Sequence, residues 1–295
     1  MNNSNNSSTI LVAGATGYLG SEICRQLVSK NKMVKGLVRA TSDSNKVARL
    51  KELGVEIVEG DLKNKASLEN ALHGVSAVIS TVSSTLSRQE GDSIQTVDDE
   101  GQNNLVDAAI NAGVSQFVYI SFCELGECPL QTAKRKVEKH LAESGMNYTI
   151  LQPTYFMEVW LSPVLGFDYP NAKATIFGEG KKKISWIAIK DVASFAVDSL
   201  DNPAAKNRKI ELGGPEALSP LDVVNIFETT KGKKFELLFV PEEALKAQRD
   251  AAQDSLSASF STLTLAVTHG SEIDMRSTLN DFPIRLTSVN DYAKS

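Results

Sequence analysis

Three glycines, Gly14, Gly17 and Gly20, stand in "VAGATGYLG", a G-x-x-G-x-x-G spacing directly behind an apolar run and ahead of a segment with helical period. That arrangement suits a pyrophosphate. Gly14 permits the tight turn, Gly17 carries no side chain to hold phosphate oxygens off the backbone, and Gly20 lets the helix pack closely on the strand. The first N–H groups of the helix, at the positive end of its dipole, then face the anion. Thr16, Tyr18 and Leu19 complete the turn and are expected at the same ligand. A glycine pattern alone is a weak signal, but its place between a first strand and a first helix makes it a nucleotide site.

Nineteen positions after Gly20, at the end of the second apolar run, stands Arg39. NAD sites usually have an Asp or Glu here for the ribose 2′-OH, whereas a guanidinium welcomes a 2′-phosphate. NADP(H) is therefore the expected cofactor, with Thr41, Ser42 and Lys46 as further donors, although Asp43 could still serve a ribose. In "GDL", Asp61 could accept from an adenine amino group with Leu62 against the ring, or it could cap the helix at Lys65. Thr81, Val82 and Ser83 end a fourth strand and are expected along the cofactor's middle. The polar loop that follows, residues 83–93, either covers a ligand or is plain surface.

The elements that must hold these residues are legible as alternation. Strand candidates are Thr9–Gly14, Met33–Arg39, Val55–Gly60, Ser76–Thr81, Gln116–Ser121 and Asn147–Pro153, with helix-length segments between them. Strands alternating with helices predict parallel βαβ units, hence an α/β fold with a doubly wound sheet over residues 9–153. From 154 to 295 a smaller mixed region is expected, interleaved with that core and carrying the substrate. There "KISWIAI", "RKIELGG" and "KFELLFVP" read as strands. Asp191 looks like the cap of a helix from Val192, and Ser219-Pro220-Leu221-Asp222 has the pattern of a helix start with a capping box. Residues 255–264, rich in Ser and Thr, read as a helix or a mobile flap.

A second chemical candidate lies in "PLQTAKRKVEKHL", residues 129–141, with four bases and a histidine. Leu130, Ala133, Val137 and Leu141 define a buried stripe. At about 100° per residue, Lys134 falls roughly 55° from the centre of that stripe, while Arg135 and Lys139 point well away and Lys136 lies to the side. Lys134 is thus the base nearest the core edge. The others are read as solvated charges, and His140 as a half-buried structural residue. His269 could approach a substrate.

These residues together resemble the NmrA-like family of atypical short-chain dehydrogenases/reductases. The resemblance is carried by "GATGYLG", "LVR", "GDL", "VYIS", "AKRKVEKHLAESGMNYTILQPTYFME" and "ISWIAIKDVA", and covers most of residues 9–200. It implies a Rossmann domain with a small C-terminal substrate region, and either an NADPH-dependent reductase or an NADP-sensing regulator. Typical short-chain reductases pair a tyrosine with a lysine four residues later. Here Leu130 occupies the tyrosine position before Lys134. By resemblance Lys134 is the family's lysine, placed to orient the nicotinamide ribose and assist protonation, and Ser121 is the strand-end hydroxyl donor. The resemblance also brings Pro153, Tyr155 and Phe156 to the cofactor. Phe122, Cys123, Tyr155, Met157 and Trp160 become walls for a small hydrophobic carbonyl, quinone or conjugated substrate, although Phe156, Met157 and Trp160 at helical spacing are equally well read as core.

Bulk composition narrows the partners. The net charge of -5 gives no pull toward nucleic acid or an anionic membrane, and no apolar run is long enough to span a bilayer. Three cysteines form neither a disulfide framework nor a metal set, so no metal and a reduced, cytoplasmic setting are expected. Residues 1–8 read as a disordered tail without a secretory signal. A monomer or homodimer is expected.

Overall fold

The computed structural model describes residues 8–86 and 88–295, so the expected tail lies outside the described residues except for Ser8. In chain order the first half runs β1 (Thr9–Ala13), α1 (Tyr18–Ser29), β2 (Met33–Val38), α2 (Ser44–Glu52), β3 (Glu56–Glu59), α3 (Lys65–Ala71), β4 (Ala77–Ser80), α4 (Glu100–Asn111), β5 (Gln116–Ile120), α5 (Pro129–Glu143) and β6 (Asn147–Pro153). The second half runs α6 (Met157–Trp160), β7 (Phe167–Asp168), β8 (Lys173–Phe177), α7 (Ile189–Asp198), β9 (Arg208–Leu212), α8 (Pro220–Lys231), β10 (Glu236–Val240), α9 (Glu242–Asp250) and α10 (Ser255–Val267), followed by two short helices.

Seven strands form one sheet in the order β3-β2-β1-β4-β5-β6-β9, and β1 to β6 pair in parallel. The chain winds outward from β1 through β2 to β3, then returns to β4 on the other side. The order therefore reverses between β1 and β4, the place where open α/β sheets hold ligands at their carboxyl ends. This is the expected doubly wound, Rossmann-like architecture. β10, β8 and β7 make a separate mixed sheet.

Contacts divide the chain into two compact units. The first holds Met1–Ser121, Ala133–Leu151 and Ala193–Lys209; the second holds Phe122–Thr132, Gln152–Val192 and Ile210–Ser295. In the first, side chains of the sheet such as Leu11, Val78, Phe117 and Ile150 pack against Leu68, Leu105, Val137 and Leu141 of the helices. Each such buried side chain contributes about 1.5–3 kcal/mol. The second has its own core around Tyr155, Phe167, Ile176, Trp186 and Phe227. The cysteines are buried thiols, and burial pushes the Cys24 thiol up to about 12 against a smaller backbone hydrogen bond.

Several local expectations change. "KISWIAI" forms no strand: residues 184–189 are all buried, and the backbone makes isolated bridges from Ile184 and Ile187 to separate segments. Its apolar character reflects burial on every side rather than membership of a ladder. α7 begins at Ile189, so Asp191 is not its cap; the carboxylate accepts from Thr287 N at 2.7 Å and from Thr287 Oγ1 at 2.9 Å. Ser219 and Asp222 do form a reciprocal capping box behind Pro220. Residues 255–264 lie within α10. β8, which sequence reading passed over, had a period-two signal: Ala174 and Ile176 are buried while Lys173 is exposed.

Candidate functional site

The glycine turn joins β1 to α1. Gly14 has φ of +83°, and an added Cβ would meet Thr81 Oγ1 at 2.5 Å. At Gly20 a Cβ would lie 2.1 Å from the Gly14 carbonyl oxygen, so α1 could not pack this close to the turn with any larger residue. At Gly17 the only neighbour is that same carbonyl, at 3.2 Å, which leaves the outer surface of the turn as bare backbone. Gly17 is also the N-cap of α1, which has neither a side-chain cap nor an acidic residue in its first turn. First-turn N–H groups have no intrahelical acceptor. Here no side chain caps them, and the residues present fit a dinucleotide pyrophosphate. Thr16 is half-buried, Tyr18 is exposed and Leu19 is buried. Lys46 lies over the Tyr18 ring at 5.9 Å from its centroid.

At the end of β2, Arg39 Nη1 donates to Asp92 Oδ2 at 2.6 Å, and Lys63 Nζ donates to Asp92 Oδ1 at the same distance. Ser42 Oγ accepts from the Arg39 N–H, and Thr41 is hydrogen-bonded to Gln89. Asp43 is occupied as the cap of α2. Asp61 does not cap α3; Asn64 does, while Asp61 accepts from Lys63 N at 2.8 Å in a turn beside β3. Leu62 is buried in the core cluster. Past β4, Thr81 Oγ1 donates to the Ala13 carbonyl, the Val82 carbonyl accepts from Gln102 Nε2, and Ser83 Oγ donates to Thr85 Oγ1. Thr81 and Val82 thus run beside the glycine turn, and α4 holds Val82.

Lys134 is 5% exposed, deeper than a helix-edge lysine needs to be. Its Nζ donates to the Ile120 carbonyl at 3.2 Å and lies 3.5 Å from Tyr119 Oη and 5.1 Å from the centre of that ring. Asp98 Oδ1 is 3.9 Å from Nζ and is buried with no hydrogen-bond partner, while Oδ2 accepts from Ser84 N and Oγ. Burial pulls the Lys134 pKa below 10.5, and Asp98 and Glu138 push back. Burial, with the charges of Asp98 and Glu138, pushes Tyr119 well above 10. Asp98 sits in a π-helical turn, Ile94–Asp99, that leads into α4.

Of the neighbouring bases, Arg135 departs from the solvated reading. Arg135 pairs with Glu138, whose side chain is fully buried, and donates to Ser121 Oγ at 3.2 Å. Ser121 Oγ itself donates to Glu138 Oε1 at 2.5 Å, and Lys209 closes on Oε2. The expected catalytic hydroxyl is therefore held within a buried ion cluster. Lys136 is exposed but pairs with Asp99 at 2.6 Å, Lys139 is solvated, and His140 meets Asp107.

The second unit carries the expected substrate residues. Tyr155 is 1% exposed, with its hydroxyl donating to the Leu263 carbonyl and its ring edge-on to Trp160 at 4.7 Å. Met157 is fully buried in the same core, so the core reading applies to it. Phe156 is half-buried and bridges to Ile187 through its backbone. Pro153 is buried, and its carbonyl accepts from Cys123 N; Phe122 is half-buried and Cys123 buried. Trp160 does line an opening, together with Leu161, Phe167, Ile176, Trp186 and Val267. His269 is exposed beside Glu242. Among the described residues no cluster could hold a metal ion, and no helix is long and apolar enough to cross a membrane.

A profile of the NmrA-like family matches residues 6–292. The chain belongs to the NmrA-like family. This NmrA-like protein is 32% identical over 243 residues to the photosystem II assembly factor Ycf39 of Synechocystis sp., covering 81% of this chain and 73% of that protein. It is 31% identical over 240 residues to an NAD(P)H azoreductase of Xenophilus azovorans, covering 80% and 79%. Its fold matches the crystal structure of the NADPH-dependent quinone oxidoreductase QOR2 of Escherichia coli complexed with NADPH. The TM-score is 0.78 at 22% identity, over 96% of this chain and 98% of that one.

Sequence reasoning about this NmrA-like protein missed Tyr119, Asp98, Glu138, Lys63 and Asp92. Tyr119 lies in the "VYIS" run already singled out, but an aromatic in a buried strand reads as core. The Asp98-Asp99 pair reads as the solvated start of a helix. Only the tertiary contacts turn these side chains toward Lys134 and Arg39.

Proposed function

We propose that this NmrA-like protein is an NADPH-dependent reductase of a small hydrophobic carbonyl, quinone or conjugated double bond. The observation that carries the reading is Lys134: a lysine buried to 5% exposure, its pKa lowered by that burial, with an unsatisfied carboxylate oxygen of Asp98 at 3.9 Å. A buried base this close to an acid with one unpaired oxygen is a costly arrangement unless it has a use. The azoreductase relative and the nucleotide turn support the same reading.

In this reading the turn from Gly14 to Gly20 holds the pyrophosphate on the α1 N–H groups, and Arg39 with Lys63 receives the 2′-phosphate. Bound NADPH supplies the hydride. Lys134 Nζ binds the ribose hydroxyls and delivers a proton, directly or through water, to the substrate oxygen that gains charge. Asp98 favours the charged form of that ammonium against the larger effect of its burial. Leu130 at the usual tyrosine position leaves the lysine as the proton carrier.

A second reading is an NADP(H)-sensing protein with little turnover. The similarity to Ycf39, an assembly factor, and the Ser121 and Tyr155 hydroxyls committed to internal bonds favour it. The deciding experiment follows NADPH oxidation by the purified protein against quinones, azo dyes, enones and aldehydes. Turnover with any of them supports the reductase. No turnover across the set, with different affinities for NADP+ and NADPH by calorimetry, supports the sensor.

A further inference from the structure

The Asp92 side chain is 1% exposed and accepts three hydrogen bonds: from Arg39 Nη1 and Lys63 Nζ at 2.6 Å, and from Gln89 N at 2.9 Å. An acid clamped between two cations at the end of β2 is doing there what a phosphate would do. We propose that Asp92 is a built-in competitor of the 2′-phosphate, which must draw Arg39 away from it, and that this carboxylate limits the strength of NADP(H) binding. The inference rests on the reading of Arg39 as the 2′-phosphate residue.

The sign follows from the charges. Asp61 also lies 3.9 Å from Lys63, so Arg39, Lys63, Asp61 and Asp92 sum to zero. A 2′-phosphate carries close to two negative charges at neutral pH. It would enter a cluster with no net positive charge to offset it. Replacing Asp92 by a neutral residue of the same shape leaves one net positive charge and frees donors on both cations. Asp92 does not simply drift off when the phosphate arrives. Its segment is tied to the end of β2 through the hydrogen bonds of Gln89 to the Thr41 hydroxyl and carbonyl, which involve neither cation. Burial raises the Asp92 pKa, but the bonds from Lys63, Arg39 and Gln89 N outweigh it and hold it below 3.8, so the competitor is charged at working pH.

The test is calorimetry of NADP+ and NAD+ with the wild-type protein and Asp92→Asn at low ionic strength. The variant is expected to bind NADP+ on the order of tenfold more tightly and NAD+ within about twofold of wild type. Unchanged or weaker NADP+ binding in the variant overturns the inference and makes Asp92 a brace for the two cations. Wild-type protein that binds NAD+ as tightly as NADP+ overturns the reading of Arg39 itself, a distinct failure. Should the variant not fold, a crystal structure of the wild-type protein with NADP+ decides. Separation of Arg39 Nη1 from Asp92 beyond hydrogen-bond range supports competition, and a retained contact overturns it.

Discussion

In the proposed reaction Lys134 and the groups around it carry the chemistry. The lysine reaches Tyr119 and the Ile120 carbonyl, and Asp98 faces it with one oxygen unpaired. Lys134→Met is expected to lower kcat by about 10²-fold or more, the range general acid catalysis contributes. Stopped-flow reduction with a quinone that the wild type accepts would measure it; undiminished turnover would remove Lys134 from the chemistry. The pH dependence follows from the lowered pKa. A proton donor works only while protonated, so the rate should fall as pH rises through a value below 10.5. Asp98 favours the charged form, so Asp98→Asn should move that falling limb to lower pH. An identical profile in the variant would show that the pair is not coupled.

At the scale of elements, the β1 turn and α1 are tightly specified by residue type. The Gly20 Cβ position lies 2.1 Å from the Gly14 carbonyl oxygen, a backbone atom with no room to yield. Gly20→Ala should therefore destabilise the fold toward the upper end of about 1–3 kcal/mol and abolish tight nucleotide binding. A denaturant titration and NADP+ calorimetry on one sample would report both, and wild-type values in both would refute the packing argument. The same element shows what was legible beforehand. Gly14, Gly17 and Gly20 announced their roles because the constraints on them are local: a positive φ, a bare surface and a close approach. Asp191 and "KISWIAI" misled because their partners, Thr287 for the one and scattered bridges for the other, are far along the chain.

For the molecule as a whole, the parallel sheet reverses between β1 and β4, where open α/β sheets hold ligands, and the chain belongs to the NmrA-like family. A ligand that binds only the folded state stabilises it by mass action, about 2.7 kcal/mol at a concentration of 100 times Kd. NADP+ should raise Tm by several degrees, and NAD+ at the same concentration by less. Equal shifts in a thermal melt would count against the 2′-phosphate site.

The sequence by itself determined the winding of the sheet, the glycine turn, the stripe that buries one side of α5 and the singling out of Lys134. Each rests on period or spacing within one element or one βαβ unit, where neighbours in the chain are neighbours in space. The tertiary structure alone decided what surrounds the functional groups. It set Tyr119 and Asp98 on Lys134, tied Ser121 and Lys209 to Glu138, and closed Asp92 on Arg39 and Lys63. Those charges come from separate strands, turns and helices. Whether an acid is a solvated cap or a buried counter-ion depends on which side chains the folded sheet brings within a few ångströms, and no local pattern records that.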